Sequence, residues 1–335
     1  MHECLLDVRD LKVHFPLRGG IFWRRIGTVF AVDGVSLAIS PGRTLGLVGE
    51  SGCGKTTVAR AIVRLYRPTS GEVWFEGRNL ARMRQKDLRG IRRDIQMIFQ
   101  DPFESLNPRH TVGQIMEEPF VIHGIGTRKE RESEITRQLE RVGMGSHSIN
   151  KFPHEFSGGQ RQRIGIARAI ALQPRLVVCD EPVSALDVSI QSQILNLLLE
   201  LQQEMGLTYL FIAHDLAVVK HISDSIAVMY LGKIVEYTDS ESLYERPLHP
   251  YTQALISAIP VPDPTVTSTK EILHGDVPSP VTPPPGCRFH TRCPHTAERC
   301  TVEEPFLRTL PSLTPTAHMV ACHRVEEINR FVHKT

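Results

Sequence analysis

The sequence predicts a doubly wound α/β core with a helical insertion, followed by an irregular extension rich in proline and cysteine. Three observations predict it. A glycine-rich stretch, Gly49-Glu-Ser-Gly-Cys-Gly-Lys-Thr56, stands between an apolar run and a segment with helical spacing. Two further runs, Arg175 to Cys179 and Tyr209 to Ala213, are mostly apolar, as strands covered on both faces are. Fourteen of the 23 prolines lie between Pro247 and Pro315, together with four of the seven cysteines. A regular α/β domain does not carry that proline density, because each proline removes an amide donor. The boundary is placed at residue 245. Residues 1–245 are expected to form the α/β domain, with its helical part at about 104–170, and residues 246–335 the extension.

The elements follow in chain order. From Leu5 to about Phe99 the text alternates short strands and turns, with Thr44–Val48 and Ile95–Phe99 as strands. Val58, Ala61, Ile62 and Leu65 recur at helical spacing directly after the glycine-rich stretch. Residues 104–155 turn polar, and Arg128–Arg141 suits a solvated helix. Ile190, Ile194, Leu197, Leu201 and Met205 mark one face of a long helix between the two buried runs. No internal repeat occurs, so one core is expected.

Composition bounds the function. A chain of 335 residues suggests about two domains and is long enough to bury a core without disulfides. Lys plus Arg is 39 against 37 for Asp plus Glu, a formal net charge of +2, which argues against nucleic-acid binding by bulk charge. No run of 18 apolar residues is present to span a bilayer. Met1 to Asp10 holds three acidic residues and no apolar centre, unlike a secretory leader. The expectation is a soluble, intracellular chain. Cys4, Cys53 and Cys179 are scattered, each in or near a segment that reads as buried; Cys287, Cys293, Cys300 and Cys322 fall within 36 residues. In a reducing compartment such a cluster more often binds metal than forms disulfides.

The glycine-rich stretch matches G-x-x-x-x-G-K-[ST] between strand and helix, the arrangement that cradles phosphates. Glycines let amides turn inward, Lys55 supplies a point charge to the β- and γ-phosphates, and Thr56 offers a hydroxyl to Mg²⁺. Gly49, Ser51, Gly52, Cys53, Gly54, Lys55, Thr56 and Thr57 are therefore the candidate ATP-binding residues. The alternative is a glycine-rich strand-to-helix turn with a chance lysine. Leu176-Val-Val-Cys-Asp180 is an apolar run ending in a carboxylate, with Glu181 next. Asp180 suits a magnesium shell, and Glu181 suits a general base on the attacking water.

Phe156-Ser-Gly-Gly-Gln160 resembles the LSGGQ signature of ATP-binding-cassette (ABC) ATPases, with Phe in place of Leu. Ser157 also suits a plain helix N-cap. The resemblance implies a P-loop ABC fold: a RecA-like core, an antiparallel β subdomain and a helical subdomain. It implies that Ser157, Gly158, Gly159 and Gln160 contact ATP held by a second cassette in a head-to-tail dimer. By the same resemblance, Gln100 is the Q-loop glutamine near Mg²⁺, Asp187 belongs to the D-loop, His214 is the switch histidine on the γ-phosphate, and Phe15 stacks on adenine, with Phe30 in that place or a core role for Phe15 as the alternatives.

Over the whole chain, Phe99-Gln-Asp-Pro102, Ser105-Leu-Asn-Pro-Arg109, Glu181-Pro-Val-Ser-Ala-Leu-Asp-Val188, Leu248-His-Pro-Tyr-Thr-Gln-Ala-Leu255 and Pro285-Gly-Cys287 resemble oligopeptide and dipeptide permease ATPases, the F-type rather than the D-type member. That implies two integral-membrane permease partners received near Gln100 to Arg109, a D-type paralogue as second cassette, and indirect work with an extracytoplasmic binding protein. It also implies a peripheral location on the cytoplasmic face of the inner membrane. Importers of nickel, glutathione or oligosaccharides, or a soluble ABC ATPase, are the alternatives. Arg18 to Arg25 reads as an insertion loop, with lipid headgroup contact as the other reading.

Cys287, Cys293, Cys300 and Cys322 have five, six and twenty-one residues between neighbours, and four thiolates suit Zn²⁺ or [4Fe–4S]. The resemblance implies [4Fe–4S]; zinc and free thiols are the alternatives. Arg288, Arg292 and Arg299 are expected to favour thiolates. The extension lies outside every ATP motif in the sequence, so its expected role is structural.

Overall fold

The computed structural model describes residues 4–19, 24–101, 105–259, 275–310 and 317–331. Its strands are β1 (Leu6–Gly19), β2 (Arg24–Ile39), β3 (Thr44–Val48), β4 (Ser70–Phe75), β5 (Arg78–Asn79), β6 (Ile95–Ile98), β7 (Leu176–Asp180), β8 (Thr208–Ala213), β9 (Ser225–Tyr230), β10 (Lys233–Asp239), β11 (Arg308–Thr309) and β12 (Met319–Val320). The chain divides into two compact units. One holds residues 1–5, 39–44 and 82–213, the other 6–38, 45–81 and 214–335.

In the first unit β6, β7 and β8 pair in parallel, with β7 central. Every residue of β7 and β8 is buried, which is why these runs carry no alternation. The Val188–Met205 helix buries Ile194, Leu195, Leu197, Leu198 and Leu201 and stops at Gly206, whose φ of +66° closes it. The buried Tyr209 hydroxyl donates to the Leu198 carbonyl at 2.9 Å, tying this helix to β8. The helical part contains Val112–His123 and Arg128–Arg141, which open with reciprocal caps, Thr111 with Gln114 and Thr127 with Glu130. The second of these helices buries only Ile135, Gln138 and Leu139, the solvated helix its charges predict.

In the second unit β3 pairs in parallel with β9, and β10, β12 and β11 continue antiparallel from it. A separate sheet has the order β2-β1-β4-β5. The helix after β3 runs Lys55–Ile62, shorter than its apolar spacing suggests. Arg64 takes a left-handed φ of +59° and sends its buried guanidinium to the Leu80 carbonyl, so Leu65 lies beyond the helix and is exposed. Cys53 and Cys179 are buried, and Cys4 is exposed but adjoins the buried Leu5 and Leu6. The segment Arg18 to Arg25 has its middle, 20–23, outside the described residues; β1 ends before it and β2 begins after it.

The extension builds a small core of its own from Leu248, Leu310, Val320 and Val325, with Cys322 packed against it, but nothing from Pro278 to Pro285 is buried. Further contacts tie it to the rest of the second unit. β12 lies along β10, Phe30 donates its amide to the Pro280 carbonyl, and Phe289 packs edge-on to Tyr230 at 5.2 Å and tilted on Tyr251 at 5.4 Å. Beneath these, the Glu236 carboxylate is fully buried. It accepts the Leu248 amide at 2.7 Å, the His249 amide at 2.9 Å and pairs with His318 Nε2 at 2.6 Å. Among the described residues no helix is long and apolar enough to cross a membrane.

Candidate nucleotide-binding site

The loop from Gly49 to Thr57 is shaped by two positions where no side chain fits. Gly49 has φ +154°, and a Cβ there would lie 2.1 Å from the Met229 carbonyl oxygen. Gly54 has φ +111°, and its Cβ would lie 2.1 Å from the Ala31 carbonyl oxygen. Between them the Cys53 thiol is buried, which pushes its pKa up; only the backbone of this residue is on offer to a ligand. Lys55 arches back over the loop, its ammonium donating to the Gly49 carbonyl at 2.7 Å and the Glu50 carbonyl at 3.0 Å. Ser51 and Gly52 are exposed at the loop tip, and Thr56 and Thr57 are half-buried on the first helical turn. The helix N-cap is Gly54, which supplies no side-chain cap, so the first turn faces the loop with its amides. A concave backbone, a helix N-terminus and one lysine fit the phosphates of a nucleotide.

Glu50, which sequence patterns did not single out, is the most heavily bonded residue of this loop. Its amide donates to the Tyr251 hydroxyl at 2.9 Å, and its carbonyl accepts from the Cys53 amide as well as Lys55. Its carboxylate receives both ends of the Arg292 guanidinium, at 2.7 and 3.0 Å. Arg292 belongs to the extension. The extension, outside every ATP motif in sequence, therefore reaches this loop in space. The signal was present in the arginine beside Cys293, but sequence alone assigned its charge to the thiols.

In the first unit, Asp180 ends β7 and is buried. Glu181 follows in a left-handed backbone with φ +46°, a posture uncommon for a residue with a side chain. Its amide donates to the Ile212 carbonyl at 3.0 Å, and its carbonyl accepts from the Ser184 hydroxyl at 3.0 Å. These bonds hold a strained backbone in one place, as functional sites often do. The Glu181 carboxylate accepts from Gln100 Nε2 at 3.2 Å, so residues 81 apart in sequence meet. The Gln100 to Arg109 segment has its middle, 102–104, outside the described residues. Its Ser105 carbonyl accepts from Arg168 at 2.6 Å.

Ser157 caps the Gly158–Ile170 helix. Its hydroxyl accepts the Gln160 amide, and the Gln160 side chain accepts the Ser157 amide at 3.0 Å. A Cβ on Gly159 would lie 2.7 Å from Ile190 Cγ2, so this turn packs on the helix that Asp187 begins. In the second unit, Phe15 is half-buried and meets Tyr66 edge-on at 5.3 Å. Phe30 packs edge-on against His14 at 4.8 Å, and His14 pairs with Asp33. His214 is exposed directly after β8.

Cys300 is buried, and Cys287, Cys293 and Cys322 are half-buried. Burial pushes the Cys287 thiol up to about 11 and the Cys322 thiol up to about 12, with neighbouring cysteines adding to both. Amides two residues on, from Phe289, His295 and Arg324, hydrogen-bond Cys287, Cys293 and Cys322 and oppose that rise. The expected help from three arginines is found in part. Arg288 pairs with Asp33 and Arg292 with Glu50, whereas Arg299, paired with Glu303, also attracts Cys300, and Arg324 attracts both Cys293 and Cys300. Four soft sulfurs, three with a backbone donor, fit an iron–sulfur or thiolate-metal group in chemistry. Among the described residues, however, no three His, Cys, Asp or Glu side chains gather as ligands of one ion.

Known proteins share this architecture. The ABC transporter family matches residues 32–184, and the family described as oligopeptide/dipeptide transporter, C-terminal region, matches residues 235–300. The oligopeptide transport ATP-binding protein AppF of Bacillus subtilis (strain 168) is 53% identical over 325 residues, 96% of this chain and 97% of that one. The corresponding OppF protein of Escherichia coli (strain K12) is 52% identical over 331 residues, 97% of this chain and 98% of that one. Among solved structures, the ATP-binding cassette MJ0796, a dimer in a post-hydrolysis state bound to ADP and Pi, matches with a TM-score of 0.63 at 28% identity. It covers 70% of this chain and 98% of its own. With a phosphate-binding loop, a buried aspartate followed by a braced glutamate, and near full-length relatives, the chain belongs to the family of ABC oligopeptide transport ATP-binding proteins.

Proposed function

We propose that this chain is the ATP-hydrolysing subunit of a binding-protein-dependent ABC importer for di- and oligopeptides. The observation that carries the catalytic part is Glu181, braced in a strained backbone after Asp180 and bonded to Gln100. Such a carboxylate suits a general base that takes the proton of the attacking water. The loop amides of Gly49, Ser51, Gly52, Cys53 and Gly54, with Lys55, Thr56 and Thr57, bind the phosphates, and Phe15 stacks on adenine. Thr56, Asp180 and Gln100 would hold Mg²⁺, which neutralises phosphate charge when bound. His214 faces the γ-phosphate. Ser157, Gly158, Gly159 and Gln160 of this chain face the nucleotide of a second cassette, and Asp187 lies at that interface. Capping and phosphate binding at Ser157 are compatible, since both use a helix N-terminus.

The cycle is a clamp. Two cassettes bind ATP more tightly when closed, and that difference in affinity drives two permease subunits to accept cargo from an external binding protein. Hydrolysis releases the clamp. The chain works as a peripheral subunit on the cytoplasmic face of the membrane, with residues 1–245 as cassette and 246–335 as extension. Similarity to oligopeptide transport ATP-binding proteins supports the cargo and the partners.

The extension is proposed to hold a [4Fe–4S] cluster on Cys287, Cys293, Cys300 and Cys322, supplying fold stability beside the Pro278 to Pro285 stretch, where nothing is buried. A cluster spreads its thiolates over several irons and does not need them gathered on one ion. Anaerobically purified protein should be brown, and Cys293→Ser should bleach it. A colourless preparation with about one zinc per chain would overturn the cluster reading.

The test of the whole reading is assembly. The chain should co-purify with two polytopic proteins, and its ATPase activity in that complex should rise with a peptide-loaded binding protein. Turnover without permeases and indifferent to peptide would point instead to a soluble ABC ATPase.

A further inference from the structure

We infer that Arg292 is a positioning residue for ATP binding, through which the cysteine-bearing extension fixes the phosphate loop. The inference rests on reading Gly49 to Thr57 as the ATP site, and it adds a residue 242 positions away to that site. Glu50 is the first residue inside the loop, and all of its polar groups are bonded. The amide is on Tyr251, the carbonyl is shared by Lys55 and the Cys53 amide, and the carboxylate is gripped by Arg292. Lys55, the charge expected to meet the nucleotide, thus rests on the same residue that Arg292 holds.

The grip is built rather than incidental. The Arg292 side chain is only 6% exposed, against 25% for Glu50. Its guanidinium lies 5.9 Å from the Tyr230 ring centroid, and Tyr230 in turn packs on Tyr251 at 4.8 Å. The fork is bidentate, a geometry lysine cannot reproduce. Arg288 makes a parallel tie from the extension to Asp33 on β2, so two arginines, each next to a cysteine, anchor this segment to acidic groups of the second unit. Gly49 and Gly54 pin the ends of the loop by sterics. Arg292, with Tyr251, pins its first interior residue. A loop held in its binding shape loses less freedom when ligand arrives, so releasing it should weaken affinity more than the chemical step.

The experiment measures the affinity of the full-length chain for a fluorescent ATP analogue with Mg²⁺, alongside KM and kcat in the assembled transporter. Arg292→Gln should weaken binding on the order of 10-fold, about 1.4 kcal/mol. The loss should fall on KM rather than kcat, and Arg292→Lys should restore only part of it. In a Glu50→Gln background, Arg292→Gln should add less than about a further 2-fold, because the partners act as a unit. Melting temperatures separate positioning from plain stability. A lowered melting temperature with unchanged affinity in Arg292→Gln overturns the inference, as does full additivity with Glu50→Gln. If the unmutated chain itself fails to bind the analogue, the ATP reading falls as well. If the unmutated chain and the arginine variants bind equally well, the ATP reading stands and this inference alone fails.

Discussion

Replacing Glu236 with leucine should loosen the root of the extension by a magnitude that the hydrogen bonds set. The carboxylate is fully buried and accepts two backbone amides, Leu248 and His249, besides pairing with the equally buried His318. Leucine fills most of the same volume, so cavity formation contributes little. What remains is two amides and one imidazole nitrogen without a partner. Each orphaned buried donor costs about 1–3 kcal/mol, so two or more of them together cost a few kcal/mol. We take about 4 kcal/mol as the expected loss, which is a factor on the order of 10³ in an opening equilibrium. Hydrogen exchange reads this directly at the two amides. Leu248 and His249 should be well protected in the unmutated chain and should lose most of that protection in Glu236→Leu. Unchanged protection would refute the claim that this carboxylate holds the junction.

Three further outcomes follow from local geometry. Burial pushes His249 down to about 4 from its ordinary 6.5, so the folded state keeps it neutral while the unfolded chain takes up a proton. Stability should therefore fall as pH drops from 6.5 to 4, by about 3 kcal/mol, and His249→Asn, which keeps an acceptor for the Tyr251 amide, should flatten that slope in urea titrations. Gly54→Ala should destabilise and abolish nucleotide binding, because its Cβ meets the Ala31 carbonyl. Gly52→Ala, with open space and only a φ of +79° to strain it, should cost about 1–2 kcal/mol. Ser157→Ala should lose about 1 kcal/mol of folding stability with its cap, whereas Ser157→Asn should keep the cap yet lower ATPase activity in the assembled transporter; normal activity in the asparagine variant would leave Ser157 a cap only.

Much of this fold is legible in the sequence because local rules agree with global ones. β7 and β8 are apolar on both faces and buried on both, and the Arg128–Arg141 helix is charged and solvated. The glycines of the phosphate loop are legible for the same reason: their backbone angles and the carbonyls they approach leave no alternative residue. Leu65 misled because periodicity does not register where a chain turns, and the left-handed Arg64 ends the pattern early. The extension was the least legible part. Its arginines sit beside cysteines in sequence, yet in space they answer to Asp33 and Glu50, partners 255 and 242 residues away. Pairings of that range leave no periodic trace. The Gln100–Glu181 bond belongs to the same class, although the family resemblance for Gln100 and the apolar run before Glu181 made both residues candidates.

The central claim is that Glu181 acts on the water that cleaves ATP between two cassettes. In Glu181→Gln the chain should bind ATP normally and lose about 10²- to 10⁴-fold in turnover, the usual range for a general base. Mass measured in solution with Mg²⁺ and ATP, with the paired cassette present, should then report a persistent nucleotide-bound dimer that the unmutated protein forms only transiently. Near-normal turnover in Glu181→Gln, with no ATP-dependent gain in mass, would contradict the account.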